Sequence, residues 1–455
     1  MEALNIKEIV SATGGTLVNC SEDMIVNGIS TDSRNINAGD LFVALKGKNF
    51  NGHDFIPKAL ESGCTAVLAS EEIEDNIPLI KVDDTLEALK LLAKYYRSKF
   101  SYPVIAVTGS TGKTSTKEMI SSILSQKFKV HKTRKNYNNE IGLPLTIFDM
   151  SNKYDVSVIE LGMSNLGEIK RLVDIARPDI AVITNIGTAH IENLKTRKNI
   201  FKAKMEITTY FNSDNLLIVN GDDDYLSAVS NKNYNIIKTS ISNKGNYNAE
   251  DIINLGSKGI EFTSKYKGNK YKFKINAPGI HNVYNALMGI AVADKFNLSL
   301  EQLIDGIYNY KPSNMRNDII ELPDGIRIIN DCYNANLDSM KAAIDVLNSI
   351  SNGRRIAILG DMYELGDFSI KAHKDVGIYL KDKCDILISV GQDAKYIYDE
   401  AVNNMKAYYF KTKEEACQLI QKIITNNDTI LVKASRAMQM ESVVDFIVKD
   451  RKRGI

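Results

Sequence analysis

The chain has 455 residues, with 57 Lys and Arg against 56 Asp and Glu, so its formal net charge is +1. That balance gives no support to a nucleic-acid partner, and no apolar run approaches the ~18 residues a spanning helix needs, so membrane insertion is not expected. The length suggests about three domains. Five cysteines without CxxC spacing read as reduced thiols of a cytoplasmic protein, and the N-terminus lacks the basic-then-apolar pattern of a signal peptide.

The first hundred residues predict a small mixed α/β domain. DLFVAL (40–45) is a buried-strand pattern, DFIPKALESG a helix stopped by Gly, and CTAVLAS the next strand. TLEALKLLAKYYRSKF (85–100) is apolar at helical spacing and leads into the next domain. From 103 the rhythm becomes PVIAVTG, YDVSVIELG, PDIAVITNIG and NLLIVNGDD, short strands alternating with helices. Such alternation implies a mostly parallel sheet covered by helices. IEFTSKYKGNKYKFKI alternates with period two through a Gly-Asn turn and predicts an appended hairpin. IHNVYNALMGIAVADKF (280–296) is a helix with small residues on one side. Past the Pro-containing link at 310–318, a second open α/β sheet of five or six strands is expected. The basic end, residues 449–455, reads as a solvated helix end. The expected domains are 1–100, 101–312 and 313–455.

The motif IAVTGSTGKTSTKE (105–118) runs from an apolar strand into a helix, the context a phosphate loop needs. Gly109 and Gly112 allow a tight turn whose N–H groups point inward. Lys113 can reach the outer phosphates, and the Thr114 hydroxyl can ligate magnesium. Val107 stands where the full pattern G-x4-G-K-[ST] has Gly, so the loop is a G-x-x-G-K-T variant. Glu160, after VSVI, is placed to supply a carboxylate to the same cation. His190 follows another strand end. Lys202 and Lys204 read as solvated charges, and Asn136, Asn138 and Asn139 as turn residues. NGDDDYLSAVS lacks the Gly and Glu of a calcium loop, and HExxH, GxGxxG and GxSxG are absent.

Together, TGSTGKTSTKE, VIELGMS, TNIGTAHIE, APGIHNVYNAL, MRND and INDCYNAN resemble the Mur ligase family over nearly the whole chain. STDSRNINAGDLFVALKGKNFNGHDF, TRKNYNNEIGLP, NDCYNANLDSM and ASRAMQMESVV are similar to the branch that adds D-alanyl-D-alanine to UDP-N-acetylmuramoyl-tripeptide. The resemblance implies three domains: a small mixed α/β domain binding the UDP substrate, a central P-loop parallel-sheet ATPase domain, and a C-terminal Rossmann-like α/β domain that closes on ATP and the dipeptide. It implies ATP and magnesium as cofactors, an acyl phosphate intermediate, and a cytoplasmic monomer acting in peptidoglycan synthesis.

By the same resemblance, Gly109, Ser110, Thr111, Gly112, Lys113, Thr114 and Ser115 hold phosphates. Glu160 and His190 serve two metal sites. Lys204 matches a lysine whose carbamylated amine bridges toward the second metal, with the plain surface charge as the alternative. His281, Asn282 and Asn285 hold the adenine, Arg316 reaches the phosphates, and Asp331 lies near the ribose. Ser33 and Arg34 resemble the uridine-nucleotide loop, and Asn138 and Asn139 face the muramoyl peptide. Tyr333, Asn334, Asn336, Ser435 and Arg436 mark the dipeptide site. Leu337 stands where Pro is more usual, which predicts a small change at the start of the helix there.

The alternatives are another Mur-type ligase, a glutamate-adding folate ligase, a P-loop nucleotide switch and a degenerate binding protein. The first-domain loop argues against the folate ligase, the absent DNPR against diaminopimelate addition, and the absent NKxD against a guanine switch.

Overall fold

The computed structural model describes residues 1–47, 50–73 and 76–453. The last two residues of the basic end lie outside the described residues; the preceding ones close the helix Glu441–Arg453. Among the described residues, three large sheets follow one another along the chain, beside a two-stranded ribbon of Leu4–Asn5 and Ile25–Val26. The first has five strands in the order Thr16–Val18, Leu79–Lys81, Ala66–Ala69, Asp40–Val43, Gly28–Ser30, parallel except for the first pair. This is the small mixed α/β unit the alternation predicts.

The second sheet has nine strands. Val104–Thr108 lies between Val156–Glu160 and Ile180–Ile183, all parallel. Every residue of these three strands is buried, as expected where helices cover both faces and apolar residues run without alternation. The hairpin Ile260–Tyr266 and Asn269–Ile275 does not stand apart: it extends the same sheet through Tyr247–Asn254. The helix Lys113–Leu124 packs on His281–Lys295 and on Leu300–Tyr308, with Gly289 setting the first spacing and Gly306 the second. A Cβ on Gly289 would lie 2.5 Å from Ile123 Cδ1, and one on Gly306 2.4 Å from Ile123 Cα. Each of Met119, Ile120, Ile123 and Leu124, fully buried in this seam, contributes about 1.5–3 kcal/mol by leaving water.

The third sheet has six strands, with Asp318–Glu321 antiparallel to Arg327–Asn330 and the others parallel. The helix Leu337–Ile350 starts regularly at Leu337: Asn336 accepts from Ser339 N at 2.9 Å and closes a capping box. Leucine therefore replaces the more usual proline without disturbing the first turn.

The units are joined by packing as well as by chain. From the first unit, the helix Thr85–Ser98 lies on Gly142–Phe148 and Glu168–Ala176 of the second. Tyr96 donates to Met150 O at 2.9 Å and Arg97 Nε to Ala176 O at 3.0 Å. The link to the third unit carries Arg316 between two non-glycine residues in the left-handed region, Met315 (φ 58°) and Asn317 (φ 49°).

His131, on the strand Val130–Lys132, is 3% exposed. Its Nδ1 meets Ser157 Oγ at 2.8 Å, and Nε2 has no partner among the described residues. Burial pushes its pKa from 6.5 down to about 4. Between those values the unfolded chain binds the extra proton, so stability is complete above pH 6.5 and falls as pH drops toward 4. Denaturant unfolding from pH 7 to pH 4 should show a loss about 3 kcal/mol larger in the native chain than in His131→Gln. Equal losses would show that the ring does not carry this acid sensitivity.

Candidate active site

Strand register brings the chemistry to one edge. Glu160 pairs with Val107 and Ile183 with Thr108, so the phosphate loop, Glu160 and the segment 184–190 all emerge at the carboxyl ends of adjacent strands. The loop is held tightly. Ser110 N donates to Asn185 O at 3.1 Å, Thr111 N to Asn185 Oδ1 at 2.9 Å, and Gly187 N to Ser110 Oγ at 2.9 Å. Gly109 has φ +152°, and a Cβ there would lie 1.8 Å from Thr184 Oγ1. Gly112 has φ +77° and starts the helix whose first N–H groups are free to meet an anion. Lys113 Nζ donates to Gly109 O at 2.9 Å, and desolvation in the cleft pulls its pKa below the ordinary lysine value.

Glu160 is 2% exposed. Its carboxylate accepts from Thr114 Oγ1 and from Asn138 Nδ2, both at 2.8 Å. A hydroxyl and a carboxylate are hard oxygen donors, so the pair fits a magnesium ion whose other positions are filled by phosphate and water. Among the described residues no three His, Cys, Asp or Glu side chains gather into a cage.

One cleft of about 490 Å³ is lined by Ser110 to Ser115, Asn138, Asn139, Glu160, His190, His281, Asn285, Arg316, Asp331, Tyr333, Asn334 and Asn336. That size falls in the usual range for small-molecule sites. Gly109 and Asn282 lie behind this lining; Asn282 Oδ1 accepts from Asn285 Nδ2 at 3.1 Å, and Asn285 Oδ1 from Thr116 Oγ1 at 2.8 Å. From the third unit, the Arg316 guanidinium lies 4.1 Å over the Tyr333 ring. Asn139 and Asn336 spend side-chain oxygens on local backbone, Asn139 on Gly142 N at 2.8 Å and Asn336 on its helix cap.

Lys204 is not among the lining residues, yet it is not a solvated charge either. It is 1% exposed, and burial followed by the Lys113 charge pulls its pKa well below the lysine value. Ser33 and Arg34 lie away from the cleft, in the first unit. Arg34 holds Asp32 through two bonds of 2.9 and 2.8 Å, and this guanidinium contact brings Asp32 down to about 2. Ser435 lies just behind the cleft, accepting from Tyr363 N at 2.8 Å, and Arg436 pairs with Glu441 at 2.6 Å.

Among the lining residues that escaped sequence reasoning, three organise the site. Lys433, 1% exposed, pairs with Asp331 at 2.6 Å and donates to Asn334 O at 2.7 Å; its signal was a lysine ending an otherwise apolar strand. Asn185 grips the phosphate loop from within ITNIG. Glu364, in LGDMYELG, approaches His190 from the third unit.

The chain matches the Mur ligase middle domain over residues 107–293, the Mur ligase glutamate ligase domain over 315–436 and the Mur ligase family catalytic domain over 25–97. It is 38% identical over 453 residues to the UDP-N-acetylmuramoyl-tripeptide--D-alanyl-D-alanine ligase of Bacillus subtilis (strain 168), covering 98% of each chain. Its fold is similar to a crystal structure of MurF from Acinetobacter baumannii, with a TM-score of 0.91, 31% identity and 99% of both chains covered. It is also similar to MurF ligase from Thermotoga maritima, solved in complex with ADP, with a TM-score of 0.85, 28% identity and 94% and 98% of the two chains covered. Three domain matches in chain order, a relative aligned almost end to end and one shared cleft agree: the chain belongs to the Mur ligase family.

Proposed function

We propose that the protein is an ATP-dependent amide ligase that joins D-alanyl-D-alanine to UDP-N-acetylmuramoyl-tripeptide, acting as a cytoplasmic monomer in peptidoglycan precursor synthesis. The observation that carries this reading is the shared cleft, in which a phosphate loop of the second unit faces Arg316 and Asp331 of the third. A nucleotide switch has no use for that second wall. In this reading residues 1–100 take the UDP part through Ser33 and Arg34, 101–312 take ATP, and 313–455 close over ATP and the dipeptide.

The first step brings a substrate carboxylate to the γ-phosphorus of ATP. An O–P bond forms, the bond to ADP breaks, and an acyl phosphate results. Two anions must meet, so positive charge is required. Lys113 and Arg316 supply it from opposite walls. A magnesium ion held by Thr114 and Glu160 would add Lewis-acid charge to the phosphates. Asn138 fixes the Glu160 carboxylate. His281, Asn282 and Asn285 border the adenine, and Asp331, held by Lys433, borders the ribose. In the second step the dipeptide amine attacks the acyl carbon near Tyr333, Asn334, Asn336, Ser435 and Arg436. Phosphate leaves, taking up the proton the amine releases. With both walls in place water is excluded, which protects the acyl phosphate.

Lys204 enters as a carbamate. Its burial favours the neutral amine, the form that adds carbon dioxide, and the resulting anion would lie close to Lys113 and serve the second metal with His190.

The test is phosphate release with magnesium, ATP and the UDP-tripeptide, with and without D-alanyl-D-alanine. Release that needs both, with a product heavier by one dipeptide less water, is the expected outcome. Stimulation by a single amino acid instead would keep the ligase and change its substrate. No stimulation by either would overturn the reading.

A further inference from the structure

The LGDMYELG segment follows the strand Arg355–Gly360 and had no role in the sequence reading. It is a rigid projection of the third unit. The Asp361 carboxylate accepts from Ala394 N at 2.7 Å and Gln392 N at 3.0 Å. Met362 N donates to His373 Nε2 at 3.0 Å, and Tyr363 N to Ser435 Oγ at 2.8 Å. Leu365 is 2% exposed. Between these anchors Glu364 stands out into the cleft with φ +61°.

Glu364 meets the second unit twice. Its backbone oxygen accepts from Glu192 N at 3.2 Å. Its side-chain Oε2 lies 2.6 Å from His190 Nδ1, which has no other partner among the described residues. The contact is close but not aligned as a hydrogen bond. A carboxylate this close to a bare ring nitrogen would set negative charge against its lone pair. In the neutral ring the proton therefore belongs on Nδ1, which leaves Nε2 with its lone pair free.

We propose that Glu364 is a positioning residue for His190: the third unit, on closing, fixes the imidazole as the Nδ1–H tautomer and so completes a group that the second unit alone leaves undirected. Closure and assembly of the site then become one event. The kinetic consequence rests on the ligase reading; the tautomer does not.

Two measurements test this. The chain has five histidines, so long-range proton–nitrogen spectra of the free protein at mildly alkaline pH give few ring systems, with His190 assigned by its loss in His190→Gln. The native protein should show His190 protonated at Nδ1, and Glu364→Ala should shift it toward the Nε2–H form that free imidazole favours. A native His190 already protonated at Nε2, or one unmoved by Glu364→Ala, overturns the proposal. In turnover, Glu364→Ala should lower kcat roughly tenfold with KM for ATP nearly unchanged. Glu364→Gln, whose amide oxygen still accepts, should restore most of it. Melting temperature should stay put in both variants, because an exposed pair contributes little to stability. Failure of Glu364→Gln to restore turnover while Nδ1–H is retained would also count against the role. If the native protein forms no amide, the ligase reading falls and the spectra alone decide the role of Glu364.

Discussion

Lys113→Ala should lower turnover by roughly 10²–10³-fold, the usual cost of removing one preorganised charge from a transition state. The loss should fall on kcat at saturating substrates, because the lysine matters most when the carboxylate and the γ-phosphate are forced together. Lys113→Arg should not rescue it: the planar guanidinium cannot occupy the point-charge position that the loop, with Gly109 O accepting from Lys113 Nζ at 2.9 Å, has shaped for an ammonium. Thermal unfolding should change little, since the side chain is held in the cleft against desolvation. Initial rates of phosphate release, read beside a melting curve, check this. A variant with near-native turnover would remove the phosphate loop from the chemistry.

Lys204→Met should also lower turnover by roughly 10²–10³-fold if the lysine carries an anchoring carbamate. Methionine keeps most of the buried volume and removes the amine. The fold should therefore keep its stability, because methionine fills the same buried space, 1% exposed in the native chain, without a polar nitrogen that has to be desolvated. The direct readout is a carbamate carbon signal after equilibration with ¹³C-bicarbonate, present in the native chain and absent from Lys204→Met. Full turnover in carbon-dioxide-depleted buffer, with no label incorporated, would refute the carbamate and leave the ligase reading standing.

The strand–helix rhythm was legible because parallel strands buried on both faces write continuous apolar runs. VIAVT, VSVIE and IAVI each gave their strand directly. The phosphate loop was legible because its glycines and lysine are adjacent in sequence. The other wall was harder. The Asp331–Lys433 pair joins residues 102 positions apart, and neither strand announces that it ends beside the other. Lys204 was misread on its own pattern, since a lysine in FKAKMEI gives no sign of burial; only the resemblance singled it out. Glu364 left no local signal, because its partner His190 belongs to another sheet. Asn336 shows the opposite limit: the resemblance placed it at the cleft but not its helix-start bond, whereas for Asn139 the residue pattern alone gave the turn role that its bond to Gly142 N fits.

The link that carries Arg316 has a thermodynamic consequence. Met315 and Asn317 both sit in left-handed backbone, which costs an L-residue about 1 kcal/mol or more. Delivering the guanidinium into the cleft therefore works against the chain's own preference, and the contacts Arg316 makes there must offset it. Tyr333 offers part of that offset, and the phosphates of a bound nucleotide would offer the rest. The link is in this sense a loaded spring, its shape imposed by tertiary contact and not by local preference.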